Sequence, residues 1–267
     1  MQGWDVAGVV EECGSDCTEF KVGDEVYSYT RPAWDMKVDG ESTAGESIGM
    51  NGCQAELVSV AQWKVARKPK SASMAEAAAV PLAGLTAWQG LFTQGEVKAG
   101  QTVLILGASG GVGSFAVQFA KAKGVTVIGT CSTRNVDFVK SLGADHCVDY
   151  TQGDVSAAVR AIVPGGADMV YDCVGDSSTA AGIASAKDNA IVVSIANFGI
   201  AELCQTAGRG LTGKAFLVEP SAEQLNEIGG LMDAGKVRVG ALECYSLSNY
   251  KAAYEASLSG RTRGKLV

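Results

Sequence analysis

The chain has 267 residues, 47% hydrophobic and 19% charged, a globular balance that excludes a disordered or fibrous polymer. This length can hold one large domain or two modest ones, with core enough to fold without disulfides or metal. No apolar run approaches bilayer-spanning length, and a net charge of −7 with no basic block argues against a nucleic-acid backbone as partner.

The first eighty residues read as a small β domain. Val6–Glu12, Glu25–Tyr29 and Ala55–Val60 are short β-prone runs separated by Gly- or Asp-rich turns. Between them, residues 34–50 are polar and glycine-containing and read as a mobile loop. Cys13 and Cys17 lie four apart in a turn. Cys131, Cys147 and Cys173 fall in or beside apolar strand-like runs, as small buried hydrophobes do. The eight cysteines include no C-x-x-C pair, so the expectation is a reducing intracellular compartment, with a redox pair at Cys13 and Cys17 as the alternative. The amino terminus shows no signal-peptide pattern. A cytoplasmic location is expected, with an organelle as the other option.

From Thr102 the pattern changes. Val103-Leu104-Ile105-Leu106 is a continuous apolar run, as in a strand covered on both faces of a parallel sheet. Gly107-Ala108-Ser109-Gly110-Gly111-Val112-Gly113 follows at once. Val112, Phe115, Ala116, Phe119 and Ala120 then form the apolar stripe of a helix, which Gly124 stops. Further strand-like runs lie near Val125, Cys147, Met169 and Ile191, each 22 residues after the last. Helical segments separate them at Val136–Leu142, Val155–Ile162 and Ser177–Ala186. Alternation at this interval means βαβ units, hence an α/β fold with a doubly wound parallel sheet of Rossmann type. A sixth strand is expected at Ala215–Val218, a helix at Ala222–Asp233, and in the tail a strand-like piece and a helix near Tyr250–Leu258.

The glycine-rich turn carries the chemistry. It follows a buried strand and opens an amphipathic helix within a βαβ unit, the context that a dinucleotide pyrophosphate needs. Gly107 permits the tight exit from the strand. Gly110 and Gly111 let the backbone approach the phosphates, Gly113 permits close packing of helix on strand, and the helix end presents free N–H groups to the anion. After the second strand, where an acidic residue would hold a ribose without an extra phosphate, the chain reads Gly129-Thr130-Cys131-Ser132-Thr133-Arg134. With no carboxylate there and a guanidinium suited to phosphate, NADPH is expected over NADH.

On these words the sequence resembles the medium-chain dehydrogenase/reductase superfamily, in its quinone oxidoreductase and enoyl reductase branch. Residues 3–10 (Gly3-Trp4-Asp5 and on) and 20–26 are similar to that family's GroES-like catalytic β domain. Pro81–Ala87, Leu106–Gly113, Leu142-Gly143-Ala144-Asp145, Asp149-Tyr150 and Gly260–Lys265 match its later words. The resemblance implies a GroES-like domain from residues 1–86 and 236–267, incomplete at its amino terminus, and a Rossmann domain from residues 87–235. It implies that Gly107 through Gly113 (with Ala108, Ser109 and Val112) hold the pyrophosphate, and that Ser132, Arg134 and Tyr150 surround the adenosine phosphate. Thr86 would sit by the nicotinamide, with Val174, Gly175 and residues 195–198, including Ile195 and Phe198, along the cofactor. Lys265 would lie near it, or be an ordinary strand residue.

Zinc-dependent members of this superfamily carry Gly-His-Glu where this chain has Gly3-Trp4-Asp5. The one histidine, His146, reads as a solvated turn residue, and the cysteines are scattered, so no metal is expected. The implied activity is hydride transfer from NADPH to a quinone or an α,β-unsaturated carbonyl. No side chain announces itself as the general acid. Tyr27, Tyr29 and Trp34 are near the cleft by analogy, though aromatic residues more often pack than catalyse, and residues 34–50 would shape substrate choice. The rival readings are a zinc-independent alcohol dehydrogenase and a non-catalytic NADPH-binding subunit completed by a partner chain. A homodimer through an edge strand near Ala215–Val218 is expected by family analogy.

Overall fold

The computed structural model describes residues 3–30, 37–38, 41–42 and 52–267. A small antiparallel sheet forms first, from β1 (Asp5–Val9), β2 (Glu25–Tyr29) and β5 (Val65–Arg67), with β2 in the centre. Ala7 pairs with Tyr27, and Tyr27 with Ala66. Two-residue strands β3 (Lys37–Val38) and β4 (Glu41–Ser42) pair with each other. Trp34 and most of the loop assigned to residues 34–50 lie outside the described residues. The strand expected at Ala55–Val60 does not form. Leu57 is exposed, and the free edge of β2 is taken instead by β5, where Val65 and Ala66 are buried.

Two helices follow that the hydrophobic pattern did not reveal. α1 (Met74–Ala78) starts at a capping box in which Ser73 and Glu76 exchange bonds. α2 (Pro81–Trp88) has proline at its first turn and continues into a wider π-type turn closed by the Gly95 N–H on Gly90 O at 3.0 Å. Its apolar residues point all round because it is buried on nearly every side.

The remainder alternates as expected: β6 (Thr102–Leu106), α3 (Gly111–Ala122), β7 (Thr126–Cys131), α4 (Val136–Ser141), β8 (His146–Asp149), α5 (Val155–Ile162), β9 (Ala167–Asp172), α6 (Asp176–Ser185), β10 (Ala186–Ser194), α7 (Ile200–Ala207), β11 (Thr212–Ala215) and α8 (Ala222–Asp233). β12 (Leu242–Glu243), α9 (Tyr250–Leu258) and β13 (Lys265–Leu266) close the chain. The six strands β6 to β11 form one parallel sheet in the order β11-β10-β9-β6-β7-β8. The direction of winding reverses between β6 and β9, so a crevice opens there at the strands' carboxyl ends.

The last strand of this sheet lies three residues earlier than Ala215–Val218. Its pairing runs from Ile191↔Thr212 to Ser194↔Ala215, while Val218 is buried and Phe216 partly buried beyond the sheet, so hydrophobicity alone overstated where pairing occurs. His146 is likewise not in a turn: it opens β8 opposite Ile128, with its side chain exposed.

Successive residues of the strands feed opposite layers. Val103, Ile105 and Tyr171 join Phe115, Phe119, Leu85, Leu225 and Ile228 on one face. Leu104, Leu106 and Val170 join Val159, Ile200 and Cys204 on the other. The first layer also takes in Tyr27 and Ala66 of the small sheet, and the Tyr27 hydroxyl donates to Leu225 O of α8 at 2.5 Å. One core therefore runs through both sheets. Tyr27 and Tyr29 are almost wholly buried in it, so Tyr27 is packing rather than a cleft residue.

Candidate nucleotide site at the switch point

The turn from β6 into α3 is shaped by two glycines. Gly107 has φ +75°, and a Cβ there would lie 2.7 Å from Val174 Cγ2. A Cβ on Gly113 would overlap Gly107 O and come within 2.8 Å of Ala108 Cα, so helix and strand approach as closely as backbones allow. The turn is pinned to β7: the Gly107 N–H donates to Thr130 Oγ1 at 3.1 Å and the Ala108 N–H to Thr130 O at 2.9 Å. Gly110 is the N-cap of α3, and no side chain caps the first turn. The N–H groups of Gly111, Val112 and Gly113 therefore present a positive helix end suited to an anion.

Beside this turn the end of β7 gathers cations. Asn135 Nδ2 donates to Ser109 Oγ at 3.1 Å and lies 3.5 Å from Ser132 Oγ. Asn135 Oδ1 accepts from Arg263 Nε at 2.9 Å. Arg263 Nη2 donates to Arg134 O at 3.3 Å, and Arg134 Nη2 donates to Arg261 O at 3.2 Å. The Arg263 guanidinium lies over the Phe138 ring, 5.2 Å from its centroid. The closing segment is thus docked on the glycine turn, which its Gly264 N–H also holds through Ser109 O at 3.1 Å. Sequence reasoning had Ser132 and Arg134 but missed Asn135, Arg261 and Arg263. The two arginines in Gly260-Arg261-Thr262-Arg263 were the available signal.

One carboxylate lies closer than the order of residues suggested. Asp149 ends β8 beside Cys131 and accepts from Thr133 Oγ1 at 2.5 Å and Thr151 Oγ1 at 2.7 Å. These bonds hold its carboxyl below the usual carboxylate range. Its oxygens are committed to threonine hydroxyls, and neighbouring Tyr150 is exposed.

On the other side of the switch point, Val174 and Gly175 follow β9 and Ile195 through Phe198 follow β10. The Cys173 N–H donates to Leu106 O at 3.3 Å and the Ile195 N–H to Asp172 O at 3.1 Å, so the first turn sits against the exit of β6 and the second against the exit of β9. Val174 and Phe198 expose 52% and 64% of their surface. Burial drives the Cys173 thiol well up. Thr86 is buried in α2; its hydroxyl donates to Leu82 O at 2.7 Å and its carbonyl accepts from Tyr171 OH at 2.7 Å.

Lys265 joins this turn to the small sheet. Its Cδ would meet a Cβ on Gly111 at 3.1 Å, and its Nζ lies 3.5 Å from Asp5 Oδ2. Asp5 Oδ1 accepts the Leu82 N–H at 2.6 Å. Burial raises the Asp5 carboxyl, an effect that Lys265 and the Leu82 N–H offset only in part.

Where the zinc-dependent word has histidine, Trp4 stands and is half exposed. Cys53 is 2.6 Å from Thr30 Oγ1, and His146 lies in the large parallel sheet. Among the described residues no group of three or more His, Cys, Asp or Glu side chains comes together. The eight cysteines are free thiols.

A parallel sheet wound in this order, with a glycine turn and an uncapped helix at its crevice, defines an αβ protein of the dinucleotide-binding class. Residues 1–70 match the family profile described as alcohol dehydrogenase GroES-like domain, and residues 142–267 that described as zinc-binding dehydrogenase. The chain is 34% identical to the 2-methylene-furan-3-one reductase of Solanum lycopersicum, covering 100% of this chain and 63% of that protein. The quinone oxidoreductase of Coxiella burnetii superposes with a TM-score of 0.83 at 32% identity, over 99% of this chain and 77% of that one. The Escherichia coli quinone oxidoreductase complexed with NADPH gives a TM-score of 0.82 at 25% identity, over 99% and 81%. The chain belongs to the medium-chain dehydrogenase/reductase superfamily and is an oxidoreductase similar to its quinone oxidoreductases.

Proposed function

We propose that this oxidoreductase uses NADPH to reduce a quinone or an α,β-unsaturated carbonyl, without zinc. The observation that carries the reading is the joining of the uncapped α3 terminus to the Arg134–Arg263 pair through Asn135 and Ser109. It puts an anion seat suited to a diphosphate next to a second, cationic seat suited to a further phosphate. The Escherichia coli relative's complex with NADPH supports the same choice, and the tomato relative's name supports an unsaturated carbonyl.

In this reading Gly107, Ala108, Ser109, Gly110, Gly111, Val112 and Gly113 hold the pyrophosphate through main-chain amides. Ser132, Arg134 and Tyr150, with Arg261 and Arg263, hold the adenosine phosphate. Val174, Gly175, Ile195 and Phe198 supply the apolar wall, Thr86 lies beyond it in α2, and Lys265 stands at the pyrophosphate's edge with Asp5 as counter-charge. Residues 87–235 form the nucleotide domain and residues 1–86 with 236–267 the catalytic one. When bound, reduced nicotinamide supplies the hydride. The protein's part is to orient it and keep water from the reacting face; no side chain is assigned as acid, and solvent supplies the proton. We assign the free edge of β11 to a homodimer and the free thiols to a reducing compartment, cytoplasmic or organellar.

Purified protein should consume NADPH with simple quinones and enones, at a kcat/KM at least tenfold above that with NADH. Saturable NADPH binding with no turnover of either acceptor class would instead favour the non-catalytic subunit, and no binding of either nucleotide would end the proposal.

A further inference from the structure

Asp172 ends β9, at the point where the winding reverses, and its side chain is fully buried. A carboxylate there is costly unless its oxygens are saturated. They are. Oδ1 accepts the Val174 N–H at 3.0 Å and the Gly175 N–H at 2.9 Å. Oδ2 accepts the Thr179 hydroxyl at 2.6 Å and the Ser194 hydroxyl at 3.1 Å. Ser178 lies 3.4 Å away but its hydroxyl goes to Gly175 O at 2.6 Å.

These four donors come from two different turns. Val174, Gly175 and Thr179 belong to the turn and helix after β9. Ser194 belongs to the end of β10, and its oxygen in turn accepts the Asn197 N–H at 3.0 Å and the Ala196 N–H at 3.3 Å. The carboxylate therefore fixes one turn directly and the other through one hydroxyl. The turns also touch: a Cβ on Gly175 would be 3.0 Å from Ala196 Cβ. Gly175 and Asp176 both hold positive φ, at +84° and +48°, a conformation that needs external support at Asp176.

We propose that Asp172 is a positioning residue that sets the two apolar turns, Val174–Gly175 and Ile195–Phe198, at one fixed separation for the nicotinamide half of the cofactor. This rests on the nucleotide site proposed above. A neutral amide in its place would set its NH2 either against the Val174 and Gly175 N–H groups or against the two hydroxyls, which must then accept although Ser194 Oγ already holds the Ala196 and Asn197 N–H groups, so the pair of turns would lose its common anchor. The adenosine seat, built from Arg134, Asn135 and Arg263 on the other side of the glycine turn, has no bond to Asp172.

The asymmetry supplies the test. Binding of NADPH and of 2′,5′-ADP, which contains only the adenosine half, would be measured by calorimetry on wild type, D172N and S194A. D172N should weaken NADPH by roughly tenfold or more, as expected from loss of a positioning contact, while 2′,5′-ADP changes by less than about twofold. S194A, which cuts only the relay to the second turn, should give the same pattern at smaller size, and it serves as the working variant should D172N not fold. Equal losses for both ligands in S194A would overturn the proposal in favour of general loosening, as would unchanged NADPH binding in both variants. Wild type that binds 2′,5′-ADP and NADPH alike would sink the inference alone, because the turns then contribute nothing. Wild type that binds neither would sink the nucleotide site itself.

Discussion

Arg134 and Arg263 reach one spot from positions 129 residues apart, each bonding main-chain oxygens of the other's segment. A phosphate bound beside these two segments would draw charge-assisted bonds from both arginines. Replacing either by alanine should therefore lower kcat/KM for NADPH by about 10- to 100-fold, equivalent to about 1.5–3 kcal/mol for a charge-assisted bond, while NADH changes little. An equal loss with both nucleotides would show that the arginines only brace the fold. Gly113→Ala tests the other half of the seat. Its methyl group has Gly107 O in the way, so a loss of about 1–3 kcal/mol is expected, read as a lower midpoint in urea with unchanged slope.

Among elements, α3, β7 and β8 are joined by Asp145. Its carboxylate bonds Lys121 Nζ at 2.8 Å and the Val127 N–H at 2.8 Å. Burial pushes this carboxyl up, but the two bonds outweigh it and the group lies below its ordinary value. A lowered folded-state pKa contributes stability that is complete above the unfolded value, about 3.9, and disappears as pH falls through the folded one. Asp145→Asn should thus be less stable than wild type at neutral pH, and the gap should close in thermal melts taken below about pH 4. The nucleotide sheet was legible because strands covered on both faces are continuous apolar runs and recur every 22 residues. The small sheet was legible only in part: β1 and β2 were read, but Ala55–Val60 looks as β-prone as Val65–Arg67 and only competition for the edge of β2 separates them. The glycines of the site were readable from one short stretch. Asn135, Arg263 and Asp172 were not, because their meaning comes from contacts with distant segments.

At the scale of the whole molecule, the two sheets share one core, and Asp5 ties the small sheet to α2 through Leu82 and to β13 through Lys265. A ligand seated against the glycine turn, the closing segment and the turns after β9 and β10 should therefore tighten the protein as a unit. NADPH at about 100 times its Kd should add about 2.7 kcal/mol, a rise in Tm of about 5–10 °C for a chain of this size. Two separated melting steps, only one of them moved by NADPH, would contradict the shared core.

The docking of Gly260–Lys265 on the glycine turn also orders events in time. Four of the five pairings in the parallel sheet join strands about twenty residues apart and the fifth, β6 with β9, pairs Val103 with Met169, whereas Arg263 and Asn135 must find each other across 128 residues. Short loops close sooner than long ones. A refolding chain should therefore acquire its β-sheet signal first and its capacity to quench or shift nucleotide fluorescence later, as the tail latches shut over a turn that was already built.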